Sequence, residues 1–264
     1  MDQSQPFALA DNAVAQNYRL LFHEEIGSTN DEAMRLVRGG SPGRTWVIAK
    51  TQRSGRGRRG RHWVSPPGNL YASLLLIDEV PPRFAPQLGF VAGVALAHAL
   101  RKCAAHDQHL RLKWPNDILF DDAKLAGILL ESTELPGGCF ACIVGFGVNC
   151  TSAPGDLSYR ATALADIGAP LRAPQDVFLH LSDEIVGALA QFAGGAGFET
   201  IRAEWLSLAA GLGAPIRVDM ATESVSGTFR TIDPSGRLIV DTANSTKIIE
   251  AGDVWLAPQT GTVA

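Results

Sequence analysis

KWPNDILFDDAKLAGILLES, residues 113–132, is the stretch from which the rest of the chain can be understood. Pro115 disfavours the helical region for the residue before it, so Trp114 ends an extended segment, Leu110–Trp114. Asp121-Asp122 separates two apolar runs, Ile118–Phe120 and Leu125–Glu131, and marks the turn of a β-hairpin. Asp117 and Lys124 then fall close together on adjacent strands. Lys113, Asn116, Asp117 and Lys124 gather two cations, an amide and a carboxylate at one strand end. Such a set is suited to polarising phosphates and holding a metal. A surface salt bridge uses the same residue types with no chemistry attached, and the hairpin alone leaves both readings open.

Sixty residues upstream lies RSGRGRRGR, residues 53–61, with five arginines in nine positions. The chain as a whole is acidic: 23 basic against 27 acidic residues give a net charge of −4, and without those five arginines it falls to −9. Positive charge is therefore local. A nucleic-acid-binding surface calls for a broader basic footprint, whereas a small polyanion held at one place fits. Gly55, Gly57 and Gly60 permit close backbone approach, and Arg56, Arg58, Arg59 and Arg61 offer planar donor forks for phosphate or carboxylate. Trp63 follows and can stack on a flat ring. The expectation is a mobile lid over a nucleotide pocket. No GK[ST] closes the loop as in a Walker A, and its GxGxxG opens no helix. An RNA-binding RGG-like segment and an unliganded charged loop are the competing readings.

Around these motifs the pattern is α+β, a mixed sheet with helices followed by a small β-barrel of SH3-like size. Residues 1–17 are polar and aperiodic and read as a flexible N-terminal tail. Residues 18–22 and 46–50 read as strands, as does Asn69–Ile77. Gly27-Ser28-Thr29-Asn30 leads into a short helix that Gly39-Gly40 stops. Thr29 with Glu32 has the capping-box spacing, which leaves amides at Ser28-Thr29-Asn30 free for a ligand. Leu88–Cys103 is a buried helix, Phe140–Asn149 a strand, and Asp176–Phe192 and Phe198–Ser207 are helices. From Gly211 the texture changes to short strands: 215–220, 225–232, 237–241 and 247–256, with Asp233-Pro-Ser-Gly236 as a turn.

No basic leader or long apolar run is visible, so a cytoplasmic protein without a membrane segment is expected. Cys139 and Cys142 form a CxxC, but residues three apart on a strand face opposite ways, and no second pair follows. Buried thiols, with no structural metal, are expected.

Ser28-Thr29-Asn30, GRGRRGRHWVSPPGNLYAS (55–73), KWPNDILFDDAKLAGILLES (113–132) and VGFGVN (144–149) resemble biotin–protein ligases, in that family's order and spacing. The similarity spans about residues 18–258. It implies a catalytic domain related to class II aminoacyl-tRNA synthetases, here 18–210, and an SH3-like C-terminal domain, 211–264. It implies two steps: biotin and ATP give biotinyl-5′-AMP, then a lysine of a biotin carboxyl carrier domain takes the biotin. By motif, Ser28, Thr29, Asn30, Gln52, Gly55, Arg56, Lys124 and Gly127 belong to biotin, and Arg56, Arg58, Arg61, Trp63, Lys124 and Asn149 to ATP and the adenylate. Lys124, Arg58 and Asp117 are the catalytic set, with Asp117 orienting Lys124 or the acceptor lysine. Magnesium is expected with ATP, its ligands unassigned. The partner is a carrier domain of a biotin-dependent carboxylase, with a homodimer open. With about 17 residues before the catalytic domain, the sequence looks like the monofunctional form, with no DNA-binding domain and no nucleic-acid partner. Ala163 stands where relatives often have Ser. The rivals are lipoate or octanoate transfer, which lacks the GRGRRGR loop, and a nucleic-acid module built on that loop.

Overall fold

The computed structural model describes residues 6–104, 106–155 and 157–256. Residues 1–5 of the expected tail and the last eight residues of the expected 211–264 domain lie outside them. The described part of that tail is not loose. Asp11–Ala15 forms a short helix, α1, and Phe7 and Ala13 are buried. The Phe7 ring sits 5.7 Å from that of Phe22 and 5.9 Å from that of Phe178. One aromatic and a single helical turn anchor this segment, too little to leave a periodic trace in the sequence.

The main body is a seven-stranded mixed sheet. Its strands are β1 (Arg19–Ile26), β2 (Thr45–Gln52), β3 (Leu70–Ile77), β4 (Leu110–Lys113), β5 (Asp117–Phe120), β6 (Ala123–Glu134) and β7 (Phe140–Val148), in the order β1-β2-β3-β7-β6-β5-β4. β1 and β2 run parallel, joined by α2 (Thr29–Arg38), and the other neighbours pair antiparallel. Side chains alternate across the sheet, so β2 feeds two cores. Trp46 and Ile48 join the large core under α3 (Leu88–Cys103), α4 (Pro174–Phe192) and α5 (Phe198–Ser207). Val47 joins Ala33, Val37, Leu75, Ala141 and Ile143 in a small separate core beneath α2. Helix α3 is buried along nearly its whole length, as its all-round apolar sequence requires.

The hairpin of the opening motif is present. Asp121 and Asp122 both take positive φ, 46° and 62°, as a two-residue hairpin turn of the mirror-image type demands. A register shift between Ile118 and Leu119 sets Asp117 opposite Gly127 and Leu119 opposite Lys124.

The C-terminal part is a five-stranded antiparallel sheet of β8 (Pro215–Asp219), β9 (Ser224–Ile232), β10 (Leu238–Asp241), β11 (Thr246–Ile249) and β12 (Asp253–Leu256), ordered β11-β10-β9-β8-β12. The single strand expected over 247–256 is therefore two, at opposite ends of this sheet. The chain breaks at Glu250–Gly252, and at Gly252 a Cβ would lie 2.5 Å from Val218 Cγ1. The indole of Trp114 donates to the Gly236 carbonyl at 3.2 Å, tying the two sheets together. Cys103, Cys142 and Cys150 are buried thiols, none of them in a disulfide. Burial pushes their pKa values up to about 12, about 11 and about 12. No helix among the described residues is long and apolar enough to cross a membrane.

Candidate active site

A cleft of about 520 Å³ opens over the ends of β5, β6 and β7, lined also by the arginine loop and by β12. Its floor is made by absence of side chains. Gly127 of β6 pairs with Gly147 of β7, and the Trp63 indole lies on the pair. A Cβ at Gly147 would lie 2.6 Å from Trp63 Cε2, and one at Gly127 3.2 Å from Cζ3. A Cβ at Gly145 would collide with the Asn30 amide. Glycine at alternate positions of VGFGVN thus clears one face of β7, a signal the sequence carries but which was not read from it.

At one end of the cleft, neutral donors and acceptors are locked in a network. Ser28, rather than Thr29, caps α2, accepting from the Asp31 amide at 3.5 Å. Glu32 does not complete a capping box, because both its oxygens go to Arg35, at 2.6 and 2.8 Å. Nor is the Thr29 amide free: it donates to Gln52 Oε1 at 2.8 Å, as does the Thr29 hydroxyl at 3.1 Å. Gln52 Nε2 donates in turn to Ser65. Asn30 is buried, giving its amide to Glu131 at 2.7 Å and accepting from Ser73 at 2.6 Å. Gly55 lies behind this layer, where a Cβ would meet Ser65 Oγ and Trp63 O at 2.7 Å.

The arginine loop is folded closed. Arg56 and His62 form an antiparallel bridge, the Gly57 amide donates to the Arg61 carbonyl at 2.7 Å, and the turn runs through Arg59 and Gly60 at φ 56° and 71°. Its cations are paired with carboxylates of other elements, not left free as a basic patch. Arg56 reaches Asp31 at 2.7 Å and Glu131 at 3.0 Å, and those bonds, Asp31's foremost, push the guanidinium pKa up. Arg58 donates to Asn116 Oδ1 at 3.2 Å and the Gly252 carbonyl at 3.3 Å. Arg59 and Arg61 both bind Asp253 of β12, at 3.1 and 2.8 Å. Burial draws the Arg58 guanidinium down in pKa, with Asp253 and Asp117 opposing; a guanidinium nonetheless stays charged.

Next to Asn116, and so beside Arg58, lies the lysine pair. Lys124 Nζ approaches Asp117 Oδ1 at 2.6 Å, as an ion pair rather than an aligned hydrogen bond, and Lys113 Nζ is 3.3 Å from Oδ2. Burial alone would raise the Asp117 carboxyl, but Lys124 and then Lys113 overcome it and hold its pKa below the usual carboxylate range. Lys124 also sits between two rings, 5.4 Å from the centroid of Trp63 and 5.5 Å from that of Tyr159. Its backbone is fixed by the following loop: the Lys124 amide donates to Arg160 O, and Thr162 donates to Lys124 O. Asn149 is buried, donates to the Thr162 carbonyl at 3.1 Å, and lines a small side pocket with Trp63 and Tyr159.

Ser28, Thr29, Asn30, Gln52, Arg56, Arg58, Arg61, Trp63, Asp117, Lys124 and Gly127 therefore line one cleft, Asn149 adjoins it, and Gly55 supports it. Sequence reasoning missed Ser73, Glu131, Tyr159, Arg160 and Asp253. Nothing local marks Asp253, because its partners lie 192 and 194 residues away.

A cation-rich cleft on a glycine floor is thus set at the strand ends of an α+β sheet. Residues 26–149 match the Biotin/lipoate A/B protein ligase family, and residues 211–256 match the Biotin protein ligase C terminal domain. A biotin--[acetyl-CoA-carboxylase] ligase of Paracoccus denitrificans is 40% identical over 233 residues, covering 86% of this chain and 96% of that protein. The Mycobacterium tuberculosis protein of the same name is 30% identical, covering 87% and 86%. The solved biotin protein ligase from Aquifex aeolicus in complex with biotin and ATP superposes with a TM-score of 0.76 at 29% identity, over 90% of this chain and 98% of that one. The chain belongs to the biotin–protein ligase family.

Proposed function

We propose that this cleft joins biotin to ATP and passes the biotin to a lysine of a carrier domain. In the first step a biotin carboxylate oxygen attacks the α-phosphorus, and the bond to pyrophosphate breaks. In the second the acceptor lysine nitrogen, losing its proton, attacks the acyl carbon, and the bond to AMP breaks. Two anions must meet in the first step, so the work of the protein is positioning and charge neutralisation. The observation that carries this reading is the convergence of Arg58, Lys113 and Lys124 on a glycine-floored cleft whose other end is a neutral amide and hydroxyl network.

In this reading Ser28, Thr29, Asn30 and Gln52 hold the ureido ring, with the backbone at Arg56, and Gly55 keeps that layer close. Gly127 admits the bicyclic ring and tail. Lys124 and Arg58 neutralise the carboxylate and the α-phosphate, and Arg61 assists on the phosphate side. Trp63 stacks on adenine, and Asn149 lies at the nucleotide side. Asp117 steers Lys124, and its position in the cleft suits it to receive the acceptor lysine. Among the described residues no three His, Cys, Asp or Glu side chains converge as a metal-binding group. Magnesium is therefore proposed to arrive on the ATP phosphates. Asp117, engaged by two lysines, is not offered as its ligand. The acceptor is proposed to be a biotin carboxyl carrier domain, and the terminal strand β1 an edge where it or a second copy would add.

The test is pyrophosphate release from ATP and magnesium with biotin or with lipoate. Release with biotin is expected; release with lipoate and none with biotin would overturn the reading. The pairing of Arg56, Arg59 and Arg61 with carboxylates also weighs against a nucleic-acid patch, which predicts RNA or DNA affinity falling steeply with salt.

A further inference from the structure

Asp253 has no evident purpose inside its own sheet. It stands directly opposite Asp219 in the β12–β8 ladder, and like charges at such a position destabilise a strand pair. Asp219 is satisfied locally, by Arg217 at 3.1 Å and Ser224 at 2.7 Å. The partners of Asp253 lie in the other part of the molecule. Arg61 takes Oδ1 at 2.8 Å and Arg59 takes Oδ2 at 3.1 Å, one arginine to each oxygen. Arg59 reaches it from a left-handed backbone, φ 56°, which a non-glycine residue adopts at a cost. Arg58 passes Asp253 at 4.0 Å, with its own hydrogen bonds on Asn116 and the Gly252 carbonyl. The carboxylate thus engages Arg59 and Arg61, while Arg58 keeps its own partners at the cleft.

We infer that Asp253 is a positioning residue which clasps the arginine loop shut over the cleft, so that the C-terminal sheet retains the activated intermediate until an acceptor arrives. The inference rests on the biotin-ligation reading. The acyl-adenylate is a reactive anion bound beneath this loop, and charge-assisted bonds to Arg59 and Arg61 oppose the loop's opening. The clasp is compatible with substrate, because Arg58 and Lys124 keep their places in the cleft, and Arg61 lines it from its seat on Asp253.

The test compares the full chain with Asp253→Asn and Asp253→Glu. Two rates are read: release of preformed biotinyl-5′-AMP, and tryptic cleavage within residues 56–61 without substrates. Asp253→Asn is expected to speed both by about tenfold, because both arginines lose the charge that assists their bonds. Asp253→Glu is expected to restore both toward the parent. Parent-like rates in Asp253→Asn, or a Glu variant as leaky as the Asn variant, would overturn the clasp. Should Asp253→Asn fold poorly, Arg59→Gln breaks one of the same contacts from the loop without touching a residue of the cleft lining. Rapid release then supports the clasp and parent-like retention sinks it. If the parent itself forms no adenylate, the ligase reading fails, while the cleavage rates still decide whether the loop is clasped.

Discussion

At the scale of the residue, Asp117 shows how one carboxylate organises two lysines. It is 13% exposed and holds Lys124 and Lys113 at 2.6 and 3.3 Å. Its folded pKa is depressed, so its contribution to stability is present above the unfolded value of about 3.9 and is lost as pH falls through the lower folded value. Asp117→Asn is expected to lower the unfolding free energy by about 3 kcal/mol at neutral pH, because two cations lose their counter-charge. In urea titrations the gap between variant and parent should stay constant from about pH 5 to 8 and close below about pH 4; a gap that widens with acid would contradict the ion-pair account. This pair was legible in the sequence because the Asp-Asp turn fixed the hairpin. The cap was not. Ser28 and Thr29 are adjacent hydroxyls that can both cap, Ser somewhat better, and in the fold Gln52 takes the Thr29 side chain from 23 residues away.

At the scale of the element, the facing glycines of β6 and β7 decide what the cleft accepts. They leave a flat strip that the Trp63 ring covers. Gly147→Ala places a methyl within 2.6 Å of that ring, so the indole must shift or the strand must yield. Because Trp63 belongs to the nucleotide side, ATP affinity by calorimetry is expected to fall about tenfold with the fold intact; unchanged affinity would show that the seat of the Trp63 ring does not matter to the nucleotide. The strands themselves were legible, since β5, β6 and β7 are apolar runs bounded by turns. The break between β11 and β12 was not, because an apolar run either side of Glu250–Gly252 reads as one strand until Val218 is known to press on Gly252. The arginine loop was legible in composition but not in state. Its charges belong to Asp31, Glu131 and Asp253, which only the assembled fold brings near.

At the scale of the whole molecule, both ends of the described chain are structural parts. Phe7 fills a space between Phe22 of β1 and Phe178 of α4, and the Ala10 amide donates to Ser182 of α4 at 2.9 Å. Phe7→Ala is expected to cost about 3 kcal/mol, seen as a lower midpoint in thermal unfolding with adenylate formation retained at low temperature. Loss of less than about 0.5 kcal/mol would restore the view of this segment as a free tail. The α+β plan and the β-rich C-terminal part were visible in the order of the runs. The way the two parts share the cleft was not, because no periodicity encodes a contact between Arg61 and Asp253.

The 194 residues between Arg59 and Asp253 also set a schedule. At ordinary elongation rates of about 5–20 residues per second, the ribosome delivers the carboxylate roughly 10–40 s after the arginines. All seven strands of the large sheet are translated by Val148, ahead of α4 and α5, which cover its core, and of the strand that carries Asp253. Through that interval Arg59 and Arg61 lack the carboxylate that pairs them in the finished fold, and the lining of the cleft is whole only once the final strand of the small sheet is made.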